Sequence, residues 1–386
     1  MSSAPIEPLH IVHYIPRILL SEGGVVRAVL DMTELAASAG HKVTVVTADD
    51  SDVPASWRDI TDRVHLVSTG RGGLIRKQDM LGIRQCVERA DVVHLHTPWE
   101  MANLQLAKIA LKASKPYVLT IHGMLDDWCM TQRGLKKKIY LALFGKRLLE
   151  RAQYVHCSAQ AELDQSKKYF PKGRGVIVPN LLAMDAYHEL PGPDIARQKW
   201  SFLQTDRPVL LFLSRIHEKK GIEHLISSAK HLRDLDPVVV VAGTGDAEYT
   251  RSLEVLAEDL GVSDDVHFVG HIGGAEKLSL YEAADVFVLP TSQENFGFVY
   301  FESLACRTPI VTTRGTDTWP DLERSGAARI THPVSGAALA HDIAEMLQNR
   351  DTLREMGEKG RSWVFEYLDE ARIIAQYNEM YTGNAS

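Results

Sequence analysis

The 386-residue chain is 45% hydrophobic and 24% charged, a globular composition that excludes disordered and fibrous classes and is long enough for two or three domains. Its formal net charge of −7 gives no footing for nucleic-acid binding, and it is uneven: residues 1–190 carry 24 Lys and Arg against 20 Asp and Glu, the remainder 19 against 30. No apolar run approaches the roughly 18–20 residues of a membrane span.

In chain order, the N-terminal stretch MSSAPIEPLHIVHYI lacks the charged region and long apolar core of a signal peptide and runs straight into a strand. Strand-like runs then recur as LHIVHYI, HKVTVVTA, DVVHLHT, PYVLTIHG, QYVHCS and GVIVPN. They are nearly continuous apolar rather than alternating, as expected for strands buried on both faces of a parallel sheet. Amphipathic helices such as GVVRAVLDMTELAASAGH lie between them, which predicts βαβ units. The rhythm breaks over residues 181–207, where two prolines, a glycine and mixed charge mark a junction without a strand. It restarts with PVLLFLSRI, the helix GIEHLISSAKHLRDL, then PVVVVAG, VHFVGHI, VFVLPT and PIVTT. The closing WVFEYLDEARIIAQYNEMYTGNAS reads as a helix and a short polar tail. The predicted fold class is α/β, with two Rossmann-like doubly wound parallel-sheet domains facing a cleft. The expected boundaries are 1–190, a linker over 191–207, 208–364, and a final helix over 365–386. Four scattered cysteines without a CxxC pair predict reduced thiols in a cytoplasmic protein.

Ligands of open α/β sheets bind beyond the carboxyl ends of the strands, so residues just after strands are the candidates. Gly23 and Gly24 precede the first helix, where a glycine pair lets backbone N–H groups approach an anion; a plain loop explains them equally. His122, in TIHG, follows a strand and is placed to hydrogen-bond a hydroxyl or phosphate or to act as acid or base. His94 and His96 form an HxH pair on one strand face, but no third ligand pattern accompanies them, so they read as buried or cleft-lining residues without metal. In LSRIHEKKG, Arg215 and Lys220 converge near a helix start as a diphosphate clamp, whereas Lys219 reads as solvated. Gly243 allows a tight turn, and Ile272 offers an apolar face to a base. In TSQENFGFVYFESLACRTP, a helix is expected to begin near Gly297. Glu294 then lies in the loop and Glu302 within the helix, while Asn295, Phe296, Gly297 and Phe298 present helix-start donors. Carboxylates accept from hydroxyls, amides donate to oxygen anions, and cations hold phosphate. Together these fit a nucleotide diphosphate sugar.

The ordered set resembles glycosyltransferase family 4, retaining enzymes of the two-domain GT-B fold, over essentially the whole chain. ENFGFVYFE is similar to the family's E-x7-E motif and SRIHEKKG to its arginine–lysine phosphate motif; GG…LAASAGHKVTVVT, TIHG and VPN also stand in the family's places. The resemblance implies that Arg215 and Lys220 bind the diphosphate and stabilise the leaving group. It implies that Glu302 binds the nucleotide ribose, that Glu294 contacts the donor sugar near O3, and that the amides from Asn295 to Phe298 hold sugar or phosphate oxygens. Gly24 would bring backbone to the phosphate, His122 would contact the sugar near O6, and the last helix would pack on the N-terminal domain. The loop TTRGTDTWPDLERSGAARI departs from the common family pattern and looks like enzymes of bacterial exopolysaccharide and lipopolysaccharide assembly.

The implied reaction moves a hexosyl group with retention from a UDP- or GDP-linked sugar to a sugar or lipid-linked acceptor. Glycosidases use their two carboxylates as acid and nucleophile. Here the leaving group is already a phosphate, so positioning and charge neutralisation suffice. No DxD-type site stands at a strand end, so no metal is expected, and the only cofactor-like molecule is the nucleotide sugar as co-substrate. Residues 133–152, RGLKKKIYLALFGKRLLERA, form a basic apolar helix. Arg133, Lys136, Lys137, Lys138, Lys146 and Arg147 face anionic lipid on this reading, with Leu135, Ile139 and Leu143 toward acyl chains. An ordinary amphipathic helix is the alternative. Peripheral contact at the inner face of the membrane follows from the first reading. Three other functions fit the pattern less well: the same transfer to a small soluble acceptor, a nucleotide-sugar epimerase of this fold, and a non-catalytic nucleotide-sugar-binding subunit.

Overall fold

The computed structural model describes residues 7–385, so the first six residues of the N-terminal stretch lie outside the described residues. The chain divides into two compact units. The first comprises the described residues up to Leu182 together with those from Asp369 onward; the second is Ala183–Leu368.

The first unit is built on seven strands: β1 His10–Tyr14, β2 Lys42–Thr47, β3 Val64–Leu66, β4 Val92–His96, β5 Tyr117–Thr120, β6 Tyr154–Cys157 and β7 Gly175–Ile177. Their order is β3-β2-β1-β4-β5-β6-β7, and every pairing is parallel. The continuous apolar runs are buried on both faces, with Ile11, Val12, Val93, Val118 and Leu119 fully enclosed. The helix Glu370–Thr382 belongs to this unit. Its Tyr381 hydroxyl bonds His94 Nδ1 at 2.9 Å, and Gln153 Nε2 donates to Met380 O at 2.9 Å.

The second unit carries β8 Val209–Leu213, β9 Val238–Ala242, β10 Val266–Gly270, β11 Val286–Leu289, β12 Ile310–Thr313 and β13 Ala328–Thr331, again all parallel, in the order β10-β9-β8-β11-β12-β13. In both units the winding reverses beside the first strand, the doubly wound arrangement whose switch point opens at the carboxyl ends. Two strands, β3 and β13, were not expected from the sequence. Both are edge strands with few buried positions, so they lack the unbroken apolar signature. The segment 191–207 is folded rather than a free connection. Ala196 and Leu203 are buried, Ala196 N donates to Ser279 Oγ at 2.9 Å, and Gly192 N donates to Glu282 Oε2 at 2.6 Å. Its apolar residues anchor it to the second unit, and the units divide at 182/183 and 368/369.

Candidate active site

At the carboxyl end of β8 the chain leaves the sheet through Arg215, which is exposed, and turns through Glu218–Lys220 into the helix Ile222–His231. Lys220 is buried, with 3% side-chain exposure, and its ammonium is ion-paired with Glu294 from the loop after β11. Burial alone pushes the Glu294 carboxyl up, but Lys220, with Lys219 and Arg215, outweighs it and holds the carboxyl below its ordinary value. The sequence reading gave Lys220 and Glu294 separate grips on phosphate and sugar; here each orients the other. Lys219 is not solvated as expected. Its Nζ donates to Gln293 Oε1 at 2.9 Å, and its carbonyl accepts from Ser292 N at 2.8 Å and Thr291 Oγ1 at 3.0 Å, which fastens the two loops together.

The loop after β12 braces Glu294 from the other side. Glu294 N donates to Gly315 O at 2.8 Å, Asp317 N donates to Glu294 O at 3.0 Å, and Asn295 Nδ2 donates to Asp317 Oδ2 at 3.1 Å. The TTRGTDTW segment is therefore a support for the carboxylate, a role its sequence did not reveal. Gly297 caps the helix Phe298–Ala305 with φ +70°, and a Cβ there would strike the Tyr300 ring and approach Glu294 Cγ at 3.1 Å. Phe296 is 2% exposed with its ring stacked on Phe301 at 4.4 Å, so its side chain belongs to the core and only its backbone is left for the donor role expected of it. The amides of Phe296, Gly297 and Phe298 take no backbone acceptor among the described residues, as the first turn of a helix dictates.

Glu302 lies one turn into that helix, in a second cluster. Lys277 Nζ donates to its Oε1 at 2.8 Å and the Tyr281 hydroxyl to its Oε2 at 3.2 Å. Burial, with Glu302 beside it, raises the Tyr281 phenol well above its ordinary value, so it remains a donor. Nothing in the local sequence flags Lys277, which comes from the helix Gly274–Ala283. Ile272 is 7% exposed. Gly243 has a structural reason to be glycine: a Cβ would overlap the carbonyl of Ser214, where the β8 loop passes.

In the first unit, Gly24 opens the helix Gly24–Ser38 with Gly23 before it, and a Cβ at Gly24 would meet nothing within 4 Å. His122 follows β5 with φ +51°, a left-handed conformation uncommon for histidine. It is held twice. The Glu162 carboxylate accepts from Gly123 N at 2.5 Å and from Ser158 N at 2.6 Å, fixing the backbone. His96 Nδ1 lies 3.1 Å from His122 Nε2, fixing the ring. His96 Nε2 in turn lies 3.0 Å from His13 Nδ1 on β1. His13 is the neighbour that the HxH reading missed; strand order brings it beside His94. Ring nitrogens of His13, His94 and His96 come within 4.8 Å of one another. The His94 and His96 rings stack at 4.4 Å rather than converge, and both nitrogens of each already have protein partners. Burial pushes His13 and His122 down to about 3, so neither is charged at neutral pH.

Residues 134–151 run as helix, π-helical turn and helix. Leu135, Ile139 and Leu143 are 74%, 51% and 64% exposed, and Lys136, Lys138 and Arg147 are exposed with them. Lys137 departs from the expected basic face: its Nζ donates to Cys129 O at 2.6 Å and lies over the Trp99 ring. A groove of about 650 Å³ opens beside this helix, floored by Leu104, Leu143 and Phe144 and edged by Lys108, Arg147 and Arg151. No described helix is long and apolar enough to cross a membrane.

Comparison with known proteins agrees with this architecture. A GDP-mannose-dependent α-(1-6)-phosphatidylinositol monomannoside mannosyltransferase of Mycolicibacterium smegmatis is 29% identical over 201 residues, which span 50% of this chain and 53% of that protein. An α-monoglucosyldiacylglycerol synthase of Streptococcus pneumoniae is 26% identical over 89% of this chain and 79% of its own length. Among solved structures, HepE of Anabaena in complex with UDP and glucose superposes with a TM-score of 0.77 at 18% identity, covering 97% of this chain and 99% of that one, and shares the GT-B fold. Residues 23–181 match the family model described as glycosyl transferase 4-like domain, and residues 194–363 match glycosyl transferases group 1. The chain belongs to the group 1 glycosyltransferases.

Proposed function

We propose that the protein is a retaining hexosyltransferase, drawing on a UDP- or GDP-linked sugar and serving a saccharide or lipid-linked acceptor in exopolysaccharide, lipopolysaccharide or glycolipid synthesis. The observation that carries this reading is the cationic cluster of Arg215, Lys219 and Lys220 around the single carboxylate of Glu294 at the carboxyl end of β8. That excess of positive charge suits a diphosphate. Lys220 has three donors, so the one given to Glu294 leaves two for phosphate oxygens. Glu302, already steadied by Lys277 and Tyr281, is set to accept from ribose hydroxyls. The amides of Phe296 to Phe298, with Asn295 beside them, would hold sugar or phosphate oxygens.

In the reaction, the bond from the anomeric carbon to the phosphate oxygen breaks and a bond from that carbon to the acceptor oxygen forms on the same face. The acceptor proton passes to the departing phosphate. Protein cations neutralise the growing charge on the nucleoside diphosphate, preorganised before the reaction begins. No metal has a part in this reading. A lipid-linked acceptor is supported by the exposed Leu135, Ile139 and Leu143 beside cations, by the cation-edged groove, and by relatives whose names place them on phosphatidylinositol and diacylglycerol glycolipids. The test is a thermal-shift panel of UDP- and GDP-sugars. A cognate donor at ~100 times its Kd stabilises the fold by ~2.7 kcal/mol. No shift with any nucleotide sugar, in a protein that unfolds cooperatively, overturns the reading.

A further inference from the structure

Five buried histidines, from strands β1, β4 and β6 and the loop after β5, form two hydrogen-bonded chains in the first unit. Burial keeps His13, His94, His96, His122 and His156 neutral, so each ring has one N–H and one lone pair. The direction of one chain can be read without choice. His156 Nε2 lies 2.8 Å from Val178 O, which only accepts, so that nitrogen carries the proton. His156 Nδ1 then accepts from the Thr120 hydroxyl at 2.7 Å. Thr120 Oγ1 in turn accepts from His94 Nε2 at 2.6 Å, and His94 Nδ1 accepts from the Tyr381 hydroxyl.

The other chain, His13–His96–His122, has no carbonyl to anchor it. At its blind end His13 Nε2 is buried with no partner among the described residues. At its outer end, His122 Nδ1 is the ring nitrogen left for a ligand. Neutral rings allow only two polarities. In the first, His13 Nε2 holds a buried N–H that nothing accepts, and His122 presents a bare lone pair. In the second, His13 Nδ1 donates to His96 Nε2, His96 Nδ1 donates to His122 Nε2, and the outward proton sits on His122 Nδ1. The second leaves only a lone pair unused. Orphaned buried N–H groups are rarer than under-satisfied acceptors.

We propose that His13 and His96 are positioning residues that lock His122 in its neutral Nδ1–H tautomer, so that His122 meets its ligand as a hydrogen-bond donor to oxygen and not as a proton acceptor. The identity of that ligand rests on the transferase reading; the tautomer does not. The test is long-range ¹H–¹⁵N NMR of the full chain labelled with ¹⁵N-histidine at neutral pH, with His122 assigned from a His122→Asn variant. The expected spectrum has a protonated Nδ1 and an unprotonated Nε2 for His122. An Nε2–H form, or an average of the two, overturns the proposal. A His13→Phe variant removes the donor to His96 and should turn His122 into a tautomer mixture while His94 and His156 keep their forms. An unchanged His122 in that variant overturns the role of His13, and if the variant does not fold, the wild-type spectrum decides alone. Turnover supplies a second arm. His122→Asn, with an amide donor near the Nδ1 position, should retain at least ~10-fold more kcat than the acceptor-only His122→Asp. Equal or better turnover by His122→Asp overturns the donor role.

Discussion

Replacing Lys220 by methionine keeps most of the buried stem and removes only the charge. Lys220 is 3% exposed and Glu294 keeps 22% side-chain exposure, so the carboxylate left behind is partly able to reach water. Breaking a buried pair from one side costs ~3–5 kcal/mol. Arg215 and Lys219 remain to act on Glu294, and its carboxylate is partly exposed, so the loss expected here falls at or just below that range, about 2–3 kcal/mol. Removing both charges, as Lys220→Met with Glu294→Gln, leaves no unpaired ion and should bring stability back to within about 1 kcal/mol of wild type. Activity should behave differently. Each single change should lower kcat by ~10²–10³, the scale of one preorganised charge contact, and the double variant should not recover. Urea unfolding of the four proteins with a common m-value, paired with donor turnover, gives the cycle. The pair also has a pH signature. Glu294 is held below its ordinary value, so its contribution is complete above about pH 4.5 and is lost as pH falls through the lowered value. In Lys220→Met, protonation relieves the buried charge, so the stability gap from wild type narrows toward pH 4. A Lys220→Met protein as stable as wild type, or a double variant no more stable than the singles, refutes the reasoning.

Glu302→Gln should raise the KM for the nucleotide sugar with little change in kcat, because a ribose contact is made equally in ground and transition states; steady-state kinetics separate the two. Gly297→Ala, at φ +70° and against the Tyr300 ring, should destabilise by ~1–3 kcal/mol, read as a lowered urea midpoint. Leu135→Asp with Leu143→Asp touches only exposed side chains and should leave the urea midpoint unchanged. It should abolish co-flotation with anionic liposomes at low salt; undiminished flotation would remove the membrane surface from the account.

The central strands were legible because parallel strands covered on both faces leave unbroken runs such as VVVVA in β9. Edge strands β3 and β13 were not, since VHL is only three residues long and ARIT is interrupted by Arg329. The spacing of Glu294 and Glu302, with Arg215 and Lys220 upstream, pointed to the loops after β8 and β11, which the Lys220–Glu294 pair joins. What that spacing withheld was who partners whom. Lys220 and Glu294 are 74 residues apart, and Lys277 reaches Glu302 from a different helix. His13 joins His96 only because β1 pairs with β4. Lys137 belongs to a basic run, yet its helix face turns it inward to Cys129 O and Trp99. Such partnerships are set by sheet order and helix rotation, which local periodicity does not encode.

The most direct measurement of the central claim is a ¹H NMR time course of the anomeric signals, with the chain, its cognate nucleotide sugar and a glycolipid acceptor. The account predicts a new glycoside with the donor's anomeric configuration, release of nucleoside diphosphate in equal amount, and loss of both in Arg215→Ala. A product of inverted configuration, or Arg215→Ala turning over at the wild-type rate, would contradict it.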